Sequence, residues 1–261
     1  MTDLPRVAAF AAALAYAGCG AGASPAQAPG AGGEPEGVPP DEAAVRAVDD
    51  LTVSAEQRAK LRTLRERLAA ELAPAAGVRP KLVQAYLDGI AAGRLDPARI
   101  DPLERDFVAA TDRARPAVLA ALNELHAILT PAQRAALVDA IAEHGEQARA
   151  QGRERVRRLA EALGLSASQK RQIFWAARER LGEKRERMEE LHEGLRAAGA
   201  AFKTEAFDAT KLAVASAPLV QEWLGGIRVT LELLLPVLDR EQRSKLVQVI
   251  RRKMEARPQR P

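Results

Sequence analysis

Three histidines, His126, His144 and His192, are the first residues to weigh for chemistry, and none stands four residues from another. The spacing that puts two imidazoles on one helix face for a metal ion is therefore missing. Glu143 and Glu146 could join His144 at a weak cation site; the ordinary alternative for each histidine is a surface or core role. No Gly-rich phosphate loop, G-x-S-x-G turn or nucleophile-plus-base arrangement occurs. The expectation is a protein that is not an enzyme, with no catalytic residue, metal site or cofactor. What is left is the chemistry of surfaces. Ile173-Phe174-Trp175 are three consecutive bulky apolar residues, more than one face of a helix can bury, framed by Arg171, Arg178 and Arg180. Two outcomes are open. Either they form an interface between two parts of the chain, or Phe174 and Trp175 face solvent with Arg171 and Arg178 and bind unfolded polypeptide by charge attraction and apolar contact.

The elements that must position these residues announce themselves by repetition. Leu129-Thr130-Pro131-Ala132-Gln133 has three near copies, at Val53 to Gln57, Leu165 to Gln169 and Leu238 to Gln242. Each glutamine is followed by Arg or Lys, and four residues after it comes Leu61, Leu137, Ile173 or Leu246. Ser54, Thr130, Ser166 and Asp239 are N-cap residues, able to accept from the backbone N–H at the third helical position. Gln57, Gln133, Gln169 and Gln242 sit at that third position and can reach back to the N-cap N–H, completing a capping box. Pro131 falls at N1, where a missing N–H is harmless. The apolar residue before each cap has Arg58, Arg134, Lys170 or Arg243 opposite it instead of an apolar staple partner, so it must pack on another helix. Aromatics are 3% of the 261 residues, and period-two alternation is scarce, which points to an all-α chain. The net charge of +4 is spread among acidic residues, without the basic block expected of a nucleic-acid binder.

Read in order, residues 1–18 form an export signal: Arg6, then apolar Val7 to Ala17, too short to span a bilayer. Cys19 is the only cysteine, so no intrachain disulfide can form. Ala17-Gly18-Cys19 resembles the lipobox of bacterial lipoproteins, with Tyr16 where leucine is usual. The resemblance implies acylation of Cys19, and Gly20 after it implies sorting to the outer membrane. Residues 19–40, rich in Gly, Ala and Pro, read as a flexible tether. Helices are expected over 41–51, from Ser54 to about Leu72 and from Val78 to Ala92; Leu95-Asp96-Pro97 starts a new element, and a long helix then runs from about Pro102 to Ile128 with a kink at Pro116. Pro74 and Gly77 should separate the second from the third. An offset of 112 pairs Gln57 with Gln169, Ile90 with Phe202, and Asp96 with Asp208; after a three-residue deletion near Pro116, an offset of 109 pairs Gln133 with Gln242. One helical unit is thus used twice, over 41–147 and 148–261, the second copy carrying one long charged helix and a basic tail after Arg251.

Paired L-T-x-x-Q motifs bracketing a helical hairpin resemble the Spy/CpxP-like proteins of the bacterial periplasm. Residues 129–134 match the motif in full, while Val53, Ser54, Ser166 and Asp239 depart from it. The resemblance implies an ATP-independent envelope-stress chaperone, or holdase, whose partners are unfolded or partly folded envelope proteins. The alternative is a metal- or stress-sensing lipoprotein that binds a sensor kinase or anti-sigma partner. Relatives of this kind form a cradle-shaped dimer, so two units in one chain could build an intrachain pseudo-dimer; two units that do not pack together are the other possibility.

Overall fold

The computed structural model describes residues 51–212 and 219–255. Among them lie six α-helices: α1 (Ala55–Ala92), α2 (Pro97–Ile128), α3 (Pro131–Ala162), α4 (Ala167–Lys203), α5 (Leu219–Leu234) and α6 (Arg240–Glu255). A short 3-10 turn, Ala209–Lys211, precedes α5. The fold is all-α, as the composition predicts. The export signal, Cys19, the tether, the expected helix over 41–50 and the last residues of the basic tail lie outside the described residues.

Two expectations fail on helix limits. The break at Pro74 and Gly77 does not occur, since α1 runs unbroken through both and through Pro80. An interior proline forfeits one N–H bond and crowds the preceding turn, typically by about 3 kcal/mol. Here Pro74, Gly77 and Pro80 all face solvent, so the freed carbonyls stay hydrated. The buried stripe of Leu61, Leu64, Leu68, Ala75, Leu82, Tyr86 and Ile90 continues past them and holds the helix together from its other side. The second correction concerns α2: the element expected to start at Asp96-Pro97 and the helix expected from about Pro102 are one helix that starts at Pro97. The Asp96 side chain accepts from the Ala98 N–H at 3.1 Å and Pro97 occupies the first helical turn. α2 then continues through Pro116, and α5 through Gly225 and Gly226.

The long helices connect two hydrophobic clusters. The first takes Leu61, Leu64 and Leu68 from α1, Ala121, Leu122 and Leu125 from α2, Leu137 from α3, and Phe202 from α4 with Phe207 and Ala209 just beyond it. The second takes Leu82 to Ile90 from the far half of α1, Ile100 from the start of α2, Leu163 after α3, and Leu224 to Val247 from α5 and α6. A 38-residue helix is about 57 Å long, which is how α1 serves both clusters. Neither cluster is built from one half of the sequence. Ile90 and Phe202, equivalent under the 112-residue offset, are both fully buried but in opposite clusters, each packed against residues of the other half. α3 crosses residues 147–148 without interruption.

Candidate functional site

All four capping boxes form. Ser54, Thr130, Ser166 and Asp239 each accept from the backbone N–H of the glutamine three residues on, and each glutamine Oε1 accepts from the N-cap N–H at 2.9–3.1 Å. The apolar residues before the caps pack as anticipated, Leu129 in the first cluster and Leu238 in the second, with Val53 and Leu165 against them.

The other end of each glutamine does something a capping box does not require. Gln57 Nε2 donates to Gln133 Oε1 at 2.8 Å, and Gln133 Nε2 donates back to Gln57 Oε1 at 3.3 Å. Gln57 also donates to the Ile128 carbonyl at 2.8 Å and Gln133 to the Thr52 carbonyl at 2.7 Å. In the second half Gln169 and Gln242 exchange amide bonds at 2.8 and 3.1 Å, with Val237 and Gly164 supplying the carbonyls. In every case the accepting carbonyl lies two residues before the partner's N-cap, so each clasp has a local two-fold arrangement. Carbonyls at the end of a helix or in a turn lack intrahelical donors, and the amides satisfy them. Sequence reasoning assigns the glutamines to capping alone. The signal that could have found the clasp is that all four positions are Gln, where a capping box accepts Glu as readily.

The cation after each glutamine divides into two kinds. Arg58 and Lys170 are exposed. Arg134 is buried at 4% exposure; it donates at 2.9 Å to the carboxylate of Glu205, just past the C-terminus of α4, and lies against His126 of α2. His126 Nε2 lies 2.8 Å from the Thr204 carbonyl and 2.7 Å from Arg134 Nη1, which is 3.2 Å from Nδ1 of the same ring. The imidazole stacks on Phe207 and meets Phe202 edge-on, which makes it a core residue. Arg243 does the matching work in the second cluster. It donates to the Leu238 carbonyl at 2.7 Å, and its guanidinium carbon lies 3.0 Å from where a Cβ would stand on Gly93. Gly93 and Glu205 are equivalent under the 112-residue offset, so each half inserts an arginine at the hairpin tip of the other. A polar bridge joins the halves as well. Arg228 of α5 donates to Asp101 at 2.5 Å and to Glu104 at 2.6 Å, and Glu104 also accepts from the Tyr86 hydroxyl. Burial, reinforced by that carboxylate, pushes the Tyr86 phenol far above its ordinary value.

The residues singled out for binding lie elsewhere. Phe174 and Trp175 are 60% and 58% exposed on α4, so the outward-facing arrangement is the one adopted. Their rings meet edge-on at 5.5 Å, and the Arg178 guanidinium lies 5.5 Å from the Trp175 ring centre, a cation–π contact. Arg171 and Arg180 are exposed beside them. Trp223, by contrast, packs partly buried on the second cluster. Glu143 and Glu146 are exposed, while the side chains of His144 and His192 lie outside the described ones. Among the described residues no group of three His, Cys, Asp or Glu is placed to hold a metal ion, and no helix is long and apolar enough to cross a membrane.

With both boxes of the first half and their clasp in place, residues 43–140 match the LTXXQ motif family. No curated protein and no solved structure matches. The matched stretch ends inside α3 and holds the boxes at Ser54 and Thr130. The boxes at Ser166 and Asp239 lie beyond it, yet reproduce its LTXXQ geometry bond for bond, with Asp replacing Ser or Thr at the last cap.

Proposed function

We propose that this protein is an ATP-independent holdase of the bacterial envelope: exported, lipid-anchored through Cys19, non-catalytic, and binding partly unfolded proteins on the α4 face. One observation carries the reading. Two of the chain's few large aromatics are adjacent, mostly exposed and set among arginines, whereas Phe202 and Tyr86 are buried in the clusters and Phe107, Phe207 and Trp223 pack against them partly buried. Exposed apolar surface of this kind is costly in water unless something covers it in use. The LTXXQ match over residues 43–140 supports the frame, and the interleaved clusters support a unit duplicated into a covalent pseudo-dimer.

The test is suppression of aggregation of a heat-denatured client enzyme, without nucleotide, at up to equimolar ratio. The wild-type chain should delay light scattering, and Phe174→Ala/Trp175→Ala should lose most of that effect while retaining helicity. Absence of suppression, with co-purification of one specific membrane protein, would instead assign the chain to a regulatory role beside a sensor kinase or anti-sigma partner.

A further inference from the structure

The 112-residue offset allows the two halves to be compared position by position, and the exposed patch has no counterpart. Phe174 and Trp175 correspond to Arg62 and Thr63, both exposed on α1. Beneath them the halves differ in packing too. α1 seats Leu61, Leu64 and Leu68 in the first cluster. The matching residues of α4 are Ile173, Ala176 and Arg180, and none of the residues described in the second cluster lies on α4. Shrinking Leu to Ala and replacing Leu by Arg removes the buried stripe that would fix this part of α4 against the core. A solvated helix face with bulky side chains takes its place.

Charge follows the same asymmetry. Residues 153–180, the end of α3 and the start of α4, hold eight Arg and Lys against three Glu, a net of +5 in a chain whose total is +4. The corresponding residues 41–68 hold six Arg and Lys against six Asp and Glu and are neutral. Two of the three acids are already engaged: Glu154 with Arg157 and Arg158, and Glu161 with Arg157. Val156, 56% exposed, stands on α3 seven residues before Leu163, about as far from the α3–α4 turn as Phe174 is on the other side.

Resting on the holdase reading, we infer that duplication has produced a one-sided docking surface. The α3–α4 hairpin offers a single site per chain for an apolar segment flanked by acidic residues, and the matching face of α1 is closed to it. In a symmetric dimer of one unit, any such patch would appear twice. Here, apolar flanks of a segment would cover Phe174 and Trp175 while its carboxylates met Arg171 and Arg178, attraction that salt weakens.

The experiment uses the full chain with Trp223→Phe, so that Trp175 alone reports. It is titrated with two tryptophan-free 20-residue peptides that share a Leu/Phe centre, one flanked by Asp and Glu and the other by Lys. The acidic peptide should bind at one per chain, shift Trp175 emission to the blue, and bind at least about tenfold more tightly than the basic one at low salt, with the gap narrowing as salt rises. By peptide anisotropy, Phe174→Ala/Trp175→Ala should abolish binding and Arg62→Ala/Thr63→Ala should leave it unchanged. Two peptides per chain, equal affinity for both peptides, or equal damage from the two double variants would overturn the inference. So would displacement of the acidic peptide by phosphatidylglycerol vesicles, which would assign the patch to lipid. If aggregation is still suppressed in those cases, the holdase reading stands and only the one-sided, acid-selective site falls. No peptide binding and no suppression would remove both.

Discussion

Gln133→Glu separates the two jobs of the motif glutamine. Glutamate is a good capping-box residue, and its charge at a helix start is worth about 0.3–1 kcal/mol in its favour. A reading of the motif as caps alone therefore makes this substitution neutral or stabilising. The structure says otherwise. Gln133 uses its amide to donate to the Thr52 carbonyl at 2.7 Å and to Gln57 Oε1 at 3.3 Å. A carboxylate can donate to neither and points an acceptor at two acceptors. Two hydrogen bonds at about 1 kcal/mol each, less the favourable helix-end charge, give a net loss of about 1–2 kcal/mol. Urea unfolding followed by circular dichroism at pH 7 reads this directly, and for a chain of this size each kcal/mol lowers Tm by about 2–4 °C. Gln133→Ala, which also loses the box, should cost about 2–3 kcal/mol. Adding Gln57→Ala should then cost less than it does alone, by about 1 kcal/mol, because the shared amide bonds are lost only once. Acid offers an internal control. Protonation gives the introduced carboxyl a donor again, so the deficit of Gln133→Glu should shrink below about pH 4.3. A Gln133→Glu chain as stable as wild type at pH 7, or additive alanine variants, would refute the clasp.

Three further outcomes follow from geometry. Gly93→Ala should destabilise by about 1–3 kcal/mol in thermal melts, because φ there is +79° and the added Cβ would stand 3.0 Å from the Arg243 guanidinium. Phe202→Ala should cost about 3–5 kcal/mol and, although Phe202 belongs to the second half, hydrogen exchange should accelerate in residues 55–68 of the first, which share its cluster. Arg157 and Arg158 hold the Glu154 carboxyl down at about 2, so its contribution is present above about pH 4.5 and is lost as pH falls through about 2. Helicity measured across that window should fall less in Glu154→Gln than in wild type.

What the sequence discloses here is what is local. The four boxes are readable because cap, glutamine and helix start lie within four residues, and every one of them forms. The break expected at Pro74 is absent because proline's penalty is local, whereas what outweighs it is not: α1 is held by one cluster before Pro74 and by another after Pro80. The glutamine clasps join residues 73 and 76 positions apart, and capping alone accounts for each glutamine, so nothing local demands a second partner. Arg134 and Arg243 are likewise hidden. At the fourth helical position they look like surface cations replacing an apolar staple, and only the tip of the other half shows why they point inward. Phe174 and Trp175 could be marked as too bulky for one helix face, and the matching positions Arg62 and Thr63 face solvent on α1 as well.

The helices that run through both clusters have a consequence for cooperativity. Tandem units usually melt as separate beads, each with its own transition. Here α1, α2 and α3 each lend residues to both clusters, so loss of either would leave three helices with half of their buried surface stripped and no packing to replace it. Helices of this composition have little stability without a tertiary face. The chain should then unfold as one thermodynamic unit, with a single transition whose calorimetric and van't Hoff enthalpies agree.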